Sequence, residues 1–228
     1  MNFNLHSRAA VEFMGTAFLL MAVVGSGIMA ERLTGGNVGL ALLANSVATG
    51  AALVALILAL GPISGAHFNP VVTLAEAMRG NMVWREVPAY LTAQIAGAFG
   101  GAASAHSMFG LPLFFASRHV RAGHALLWSE FIATFGLLAV IRGCALVRSS
   151  AVAFAVGAYI AAAYWFTAST SFANPAVTLA RAASDTFAGI RPVDAPAFIV
   201  AQFGGAAAAV LCFRWLVPSR PREGTGRA

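Results

Sequence analysis

The sequence predicts an all-α membrane protein in which six transmembrane helices and two re-entrant half-helices form two inverted repeats. Composition is the first observation, because 59% of the 228 residues are hydrophobic and only 10% are charged, against about 25% charged in soluble domains. The second observation is a series of apolar stretches of membrane-spanning length. The third is a pair of shorter apolar stretches that are near copies of each other. Together they make a lipid bilayer the expected surroundings.

Six apolar stretches are each close to the ~20 residues that cross about 30 Å of hydrocarbon. They cover residues 9–30, 38–60, 87–108, 124–142, 150–168 and 195–217. An even number of spans places both chain ends on the same side of the membrane. The Pro/Gly/Arg-rich tail over residues 218–228 is expected to be a disordered extension on that side.

The fourteen basic residues are all arginines, and they stand between the apolar stretches without forming a basic face. This distribution argues against a nucleic-acid partner despite the net charge of +6. Nine arginines would share the side of the termini, namely Arg8, Arg79, Arg85, Arg142, Arg148, Arg214, Arg220, Arg222 and Arg227. Five would face the other side, namely Arg32, Arg118, Arg121, Arg181 and Arg191. The excess predicts a multi-pass protein of the cell (inner) membrane with cytoplasmic termini.

The two shorter stretches, residues 69–79 and 174–184, are each too short to span a bilayer. At ~1.5 Å per residue each covers roughly 16 Å, so two placed end to end cross one membrane. NPVVTLAEA, which begins at Asn69, and NPAVTLARA, which begins at Asn174, are identical at seven of nine positions and lie 105 residues apart. We therefore expect two matching half-helices.

Further matched pairs occur in the same order along the chain. They are Glu12-x-x-x-Thr16 with Glu130-x-x-x-Thr134, and Gln94-x-x-Gly97 with Gln202-x-x-Gly205. These pairs predict one transmembrane channel domain over residues 1–228, with repeats at approximately 9–108 and 124–217. Each repeat holds three spans, an odd number, so the second enters the membrane inverted. Inverted repeats place the functional site near the midplane, where broken helices meet.

The Asn-Pro pairs predict the chemistry of that site. Asn is a good N-cap and Pro suits the first helical position, so each pair starts a helix abruptly. Two helix N-termini would meet at the membrane centre, each with about half a positive charge. They would repel cations, while the amides of Asn69 and Asn174 donate hydrogen bonds to an oxygen of a neutral solute. The alternative is a duplicated scaffold without a pore.

The chain resembles the aquaporin and aquaglyceroporin (major intrinsic protein) family over nearly its whole length. SGAHFNP at residues 64–70 and FANPA at residues 172–176 resemble the two re-entrant loops of the family. The resemblance implies a passive channel without a cofactor that forms a homotetramer with one pore per subunit. It implies pore motifs at Asn69, Pro70, Val71, Asn174, Pro175 and Ala176. It also implies that His67 lines the cytoplasmic vestibule. It further implies structural roles for Glu12, Glu130, Gln94 and Gln202, in which the two glutamates hold carbonyl groups of the re-entrant loops.

The sequence departs from the family pattern at the outer filter. Family members usually place Arg three residues after the second Asn, where this chain has Val177. Spacing from the Asn-Pro motifs predicts a filter of Thr49, Ala162, Ser171 and Val177, without an aromatic or a charged side chain. We expect a wide, fairly apolar constriction that has lost one barrier to cations. Arg181 lies about two turns along the half-helix from Asn174 and is not expected to substitute.

Two smaller departures accompany this one. Val71 replaces the usual Ala of the first motif and adds apolar bulk behind the loop, and Thr178 replaces an Asp found in many glycerol facilitators. The chain resembles a bacterial branch of aquaglyceroporins associated with arsenic-resistance operons, in which the filter Arg is replaced. That resemblance implies passage of arsenite, As(OH)₃, and of methylated arsenicals besides glycerol-like solutes and water. A general glycerol, urea and water facilitator is the alternative.

Other classes of protein fit less well. An ion-coupled transporter usually needs charged groups in its spans, and Glu12 and Glu130 already match a structural motif. No nucleophile–base grouping or phosphate-binding loop points to an enzyme. Cys144 and Cys212 show no metal or redox spacing, and His67 has no second ligand near it. A junction or adhesion protein would be expected to carry a long tail or large loops.

Overall fold

Eight α-helices and two short 3-10 helices make up the computed structural model, which describes residues 3–217. The α-helices are α1 (Leu5–Leu33), α2 (Val38–Ser64), α3 (Pro70–Met78), α4 (Val87–Met108), α5 (His124–Val147), α6 (Val152–Phe166), α7 (Pro175–Ala182) and α8 (Ala195–Leu216). The 3-10 helices Trp84–Glu86 and Ser149–Ala151 precede α4 and α6. The predicted disordered tail, residues 218–228, lies outside the described residues.

The six long helices run back and forth between two sides of a bundle. We call the side on which α1 begins and α8 ends the terminal side, and the other the far side. On the terminal side, Arg214 near the end of α8 donates to the carbonyl oxygen of Met78 at 3.2 Å. On the far side, Arg32 at the end of α1 donates to the carbonyl oxygen of Phe109 at 3.0 Å. These contacts place the ends of α8 and α3 together on the terminal side and the ends of α1 and α4 together on the far side.

Length and composition suit five of these helices to crossing a membrane, with α6 counted together with the preceding 3-10 turn. The remaining long helix, α4, has 22 residues and is less apolar, because Gln94 and many Gly and Ala residues replace large aliphatic side chains. Large apolar side chains elsewhere are exposed on the outside of the bundle, among them Phe18 at 56%, Phe154 at 57% and Trp215 at 80% exposure. Lipid is the solvent that suits such a surface, and the all-α membrane fold is confirmed.

The two short helices begin at the Asn-Pro pairs, as predicted. Asn69 and Asn174 adopt extended backbone conformations and cap α3 and α7, and Pro70 and Pro175 occupy the first helical positions. The nine residues of α3 and the eight of α7 reach only part of the way through the bundle. From its Asn, α3 runs to the terminal side and α7 runs to the far side.

Glycines allow α4 to pack on α1, and α8 on α5, with their backbones in contact. A Cβ at Gly97 would overlap the carbonyl of Phe13, and a Cβ at Gly205 would overlap the carbonyl of Phe131. Gly97 and Gly205, which follow the two glutamines, therefore serve packing within one subunit.

Replacing Gly97 with Ala should destabilise the bundle by about 1–3 kcal/mol, because the added methyl meets backbone rather than a movable side chain. Gly143→Ala in α5 is the matched control, since nothing lies within 4 Å of its Cβ position. Helix propensity predicts that this control is neutral or up to about 1 kcal/mol more stable. Thermal unfolding in detergent measures both, and equal stability of the two variants would contradict the close backbone approach.

Candidate functional site

Two non-helical segments, residues 65–69 and 167–174, enter the bundle from opposite sides and meet near its centre. Both contain residues other than glycine in the left-handed region of backbone conformation. These are Ala66 (φ 49°), Phe68 (φ 49°), Thr170 (φ 61°), Ser171 (φ 49°) and Ala173 (φ 48°). Such conformations cost of order 1–3 kcal/mol each, so the surrounding structure has to hold them in place.

Glu12 of α1 holds the first segment. Its carboxylate, fully buried, accepts hydrogen bonds from the backbone N–H groups of His67 at 2.9 Å and Phe68 at 2.7 Å, and from the Ser64 hydroxyl at 2.7 Å. The Gln94 amide of α4 donates a fourth hydrogen bond at 2.8 Å. The prediction that the glutamates hold loop carbonyls is therefore wrong, because a carboxylate only accepts hydrogen bonds and its loop partners are N–H groups.

Glu130 of α5 holds the second segment in the same way. It accepts hydrogen bonds from the backbone N–H groups of Phe172 and Ala173, both at 2.9 Å, and from the Gln202 amide at 2.6 Å. Gln202 also donates to the Thr178 hydroxyl at 2.9 Å. Thr178, which stands in place of the Asp of many glycerol facilitators, thus has a structural hydrogen-bond partner.

The two asparagines connect the segments to each other. Asn69 Nδ2 donates to the carbonyl oxygen of Ala173 and Asn174 Nδ2 donates to that of Phe68, each at 2.8 Å. Their side-chain oxygens cap α3 and α7. An amide nitrogen carries two protons, so each Asn retains one N–H group besides the one used between the segments. Both asparagines line the central cavity.

The third residues of the two motifs lie behind the segments. Val71 is fully buried and packs with Leu138 and Ala209 of the neighbouring long helices. Ala176 is also fully buried, within the main hydrophobic core. Neither lines the central cavity. The extra methyl groups of Val71 therefore add apolar bulk behind the first segment and away from the cavity.

One cavity of about 310 Å³ runs along the bundle past both asparagines. Glu76, Arg79 and Asn81 line its terminal-side end, and Arg181 lines the end towards the far side. The walls between are mainly aliphatic, with Leu19, Val23, Leu53, Ile57, Leu137 and Ile141 among the contributors. The volume lies at the lower end of the range for small-molecule sites.

His67 lines this cavity, where the sequence places a vestibule residue. Its Nδ1 lies 3.0 Å from the Thr73 hydroxyl, and its ring centroid lies 5.4 Å from that of Tyr90. Within residues 3–217 no three His, Cys, Asp or Glu side chains group as metal ligands.

The predicted filter residues occupy different surroundings. Thr49, Ser171 and Val177 line the cavity and are at most 4% exposed. The structure contradicts the prediction for Ala162, which lies on the exposed face of α6 and does not line the cavity. Tyr164 lines the cavity from α6 instead, and its hydroxyl lies 3.2 Å from that of Thr49. The cavity lining beside Thr49 thus includes an aromatic side chain that the sequence prediction lacks.

The helical period of α6 explains the difference. Val152, Val156, Ile160 and Tyr164 line the cavity at intervals of four residues. Ala162 is two residues from this stripe, roughly 200° around the helix. Spacing from Asn174 back to Ala162 crosses a non-helical segment, where the helical period does not apply.

A charged side chain also faces the cavity, contrary to the predicted uncharged constriction. Arg181 is 2% exposed and lines the cavity on the same face of α7 as Val177, four residues earlier. Its guanidinium carbon lies 3.3 Å from the centroid of the Phe172 ring, and its Nε donates to the carbonyl of Ala188. From the sequence, Arg181 is counted among the far-side arginines and is not expected to substitute for the missing filter arginine.

Arg121, in the loop between α4 and α5, is a further residue that the sequence reasoning missed. Its side chain donates to the carbonyl oxygens of Gly189 at 2.8 Å and Ser169 at 3.2 Å. Its backbone N–H donates to Asp194 at 2.9 Å, and hydrogen bonding from Arg191 holds the pKa of Asp194 below its usual range. Arg121 thereby ties this loop to the second segment. In sequence it looks like any other loop arginine.

Comparisons with known proteins identify the family of this site. The sequence model described as "Major intrinsic protein" matches residues 2–149 and 142–228. Aquaglyceroporin AqpS of Rhizobium meliloti (strain 1021) is 53% identical over 220 residues, which cover 96% of this chain and 94% of that protein. Aquaporin NIP1-4 of Oryza sativa subsp. japonica is 38% identical over 64% of this chain, and the matched region is 52% of that protein.

A solved structure shows the same fold. The X-ray structure of the aquaglyceroporin from Plasmodium falciparum superposes with a TM-score of 0.70 at 22% identity, and the match covers 92% of this chain and 96% of that one. At this identity the likeness concerns the fold alone. The family match extends over the whole chain, and the chain therefore belongs to the major intrinsic protein family of aquaporin and aquaglyceroporin channels.

Proposed function

We propose that the chain is a passive channel for small uncharged solutes, and that it passes As(OH)₃ and methylated arsenicals as well as glycerol-like solutes and water. The observation that carries the proposal is the pair of asparagines facing one aliphatic cavity. Asn69 and Asn174 each retain an amide N–H group for a solute oxygen. A neutral polyol satisfies these donors and leaves its carbon or arsenic centre against the aliphatic walls.

The helix ends favour neutral solutes over cations. The N-termini of α3 and α7 meet at the asparagines, and each carries about half a positive charge. Water molecules that pass this point accept hydrogen bonds from the amides. A cation would leave its hydration shell to face two positive dipoles in an apolar cavity, which is a large barrier.

The residues of the constriction favour solutes larger than water. Thr49, Ser171 and Val177 are small or medium in size, and Val177 stands where the family usually has Arg. As(OH)₃ resembles glycerol in offering several hydroxyl groups on a small neutral centre. We therefore assign filter roles to these three side chains and to Tyr164, which takes the place predicted for Ala162.

A general facilitator of glycerol, urea and water is the second candidate function. The name of the Rhizobium meliloti relative, aquaglyceroporin, supports glycerol-like solutes and does not mention arsenic. The two candidates differ in one measurable quantity, the permeability to As(OH)₃ relative to glycerol. Stopped-flow light scattering on proteoliposomes measures both permeabilities. If As(OH)₃ enters no faster than it enters protein-free liposomes, arsenite passage is excluded and the general facilitator is supported.

Replacing Val177 with Arg should reduce glycerol and As(OH)₃ permeability by about tenfold or more while water passes, because the larger side chain fills the constriction beside Thr49 and Ser171. Val177→Leu is the companion variant, since it adds bulk without charge and should give an intermediate reduction. Stopped-flow scattering on proteoliposomes checks this. Unchanged glycerol permeability in both variants would remove Val177 from the filter.

Assembly and orientation belong to the same proposal. We infer a homotetramer with one pore per subunit. It lies in the cell (inner) membrane with the terminal side facing the cytoplasm. Each chain divides into repeats at about 9–108 and 124–217. Large apolar side chains around the bundle support burial in lipid and against other subunits. Light scattering in detergent tests the tetramer, and labelling of single cysteines placed in the two loop sets tests the orientation.

A further inference from the structure

Arg181 occupies a position that the repeat relates to an acidic residue at the other end of the cavity. Arg181 is the seventh residue after Asn174, and Glu76 is the seventh after Asn69. Both line the cavity, each one helical turn beyond a cavity-lining valine. Because side chains of a helix tilt towards its N-terminus, the Arg181 side chain extends back along α7 towards Val177.

The two charges differ in their partners. The Glu76 carboxylate forms an ion pair with Arg79 at 2.5 Å and accepts a hydrogen bond from Asn81 at 2.6 Å. Arg181 forms no ion pair with an acidic side chain among residues 3–217, and there its Nε alone has a protein hydrogen-bond partner. The two Nη groups of this 2%-exposed side chain are thus left to the cavity that it lines.

The surroundings hold this guanidinium in place by other means. It lies over the Phe172 ring, and Arg121 lies over the same ring with its guanidinium carbon 5.1 Å from the centroid. Such cation–π contacts stabilise a cation without neutralising it. Ser171 also lines the cavity, but its hydroxyl is buried and has no hydrogen-bond partner in the described part of the chain.

We propose that Arg181 supplies the fixed positive charge of the outer constriction, one turn beyond the position held by Val177, and that its Nη groups bind an oxygen of the passing solute. This inference deepens the proposed function and rests on it. The charge repels sodium ions in a cavity of low dielectric constant, where screening by water is weak. The same groups offer donors to neutral hydroxylated solutes.

The experiment compares sodium and glycerol permeability of proteoliposomes carrying Arg181→Gln, Arg181→Lys or a double variant, Val177→Arg with Arg181→Gln. We expect Arg181→Gln to raise sodium permeability by about tenfold or more and to pass glycerol within a few-fold of the parent. The other two variants keep a positive charge on this face of α7, and they should exclude sodium as the parent does. Arg118→Gln is the control, since it removes one positive charge from a side chain that is 91% exposed and outside the cavity.

The inference is overturned if the Arg181→Gln channel passes glycerol and still excludes sodium. It is also overturned if Arg118→Gln leaks as much sodium as Arg181→Gln does. Where Arg181→Gln does not assemble, the charge-keeping variants decide, because a sodium leak through either of them contradicts the assignment. Failure of the proposed function looks different, since the parent would then pass no neutral solute at all.

Discussion

Glu130→Gln should lower glycerol permeability about tenfold or more and destabilise the fold by about 3 kcal/mol, because a buried site with three donors loses half of its acceptors. The carboxylate accepts from two backbone N–H groups, those of Phe172 and Ala173, and from the Gln202 amide. A glutamine has one acceptor oxygen and an NH₂ group, and the NH₂ group would face another donor. The left-handed residues of the second segment would relax and carry Asn174 away from the cavity.

Stopped-flow scattering and thermal unfolding in detergent measure the two effects of this change. Glu12→Gln should behave in the same way, because its carboxylate accepts from four donors. Glu31→Gln makes the same replacement at an exposed position of α1 and should leave both quantities within error. If Glu130→Gln retains full permeability, the carboxylate does not hold the second segment in its working form.

Asn174→Asp should abolish most neutral-solute passage and admit cations. The carboxylate can still cap α7, so the helix should remain, but it has no proton to donate to the carbonyl of Phe68 or to a solute. A negative charge at the centre of the cavity also offsets the positive helix ends. We expect glycerol permeability to fall about tenfold or more and sodium permeability to rise by a similar factor.

Asn37→Asp is the matched control for this prediction. Asn37 caps α2 through the same kind of hydrogen bond, to the N–H of Leu40 at 3.0 Å, and it is exposed and outside the cavity. Its replacement should change neither permeability. Should Asn174→Asp pass glycerol as the parent does, the Asn amides would have no part in solute passage.

Much of this architecture could be predicted because the decisive residues act locally. An Asn-Pro pair specifies a helix start by capping and by the fixed backbone of proline, so the half-helices follow from a few residues. The glutamates and glutamines of the long helices were recognisable because a buried polar side chain needs a partner, and matched copies restrict where that partner lies. The structure places both glutamate–glutamine pairs beside the two re-entrant segments.

The lining of the proposed filter was harder to predict because its residues come from separate elements. The register of α6 relative to Asn174 passes through residues 167–174, where no regular period fixes which face a residue takes, so Ala162 was chosen and Tyr164 missed. Arg181 was misjudged for a different reason. Its distance from Asn174 along the helix axis suggests a remote side chain, but a long side chain tilts back towards the helix start, and the Phe172 ring holds its guanidinium there.

The reciprocal hydrogen bonds of the two asparagines have a consequence for biosynthesis. They join residues that are 104 and 106 positions apart in the chain. At about 5–20 residues per second of translation, Asn69 emerges from the ribosome roughly 5–20 s before its acceptor. In a nascent chain that stops after α4, Glu12 and Ser64 hold the first segment, and the Asn69 amide lacks its acceptor. The pore is therefore completed only after the second half has been inserted, and neither half of the protein closes it by itself.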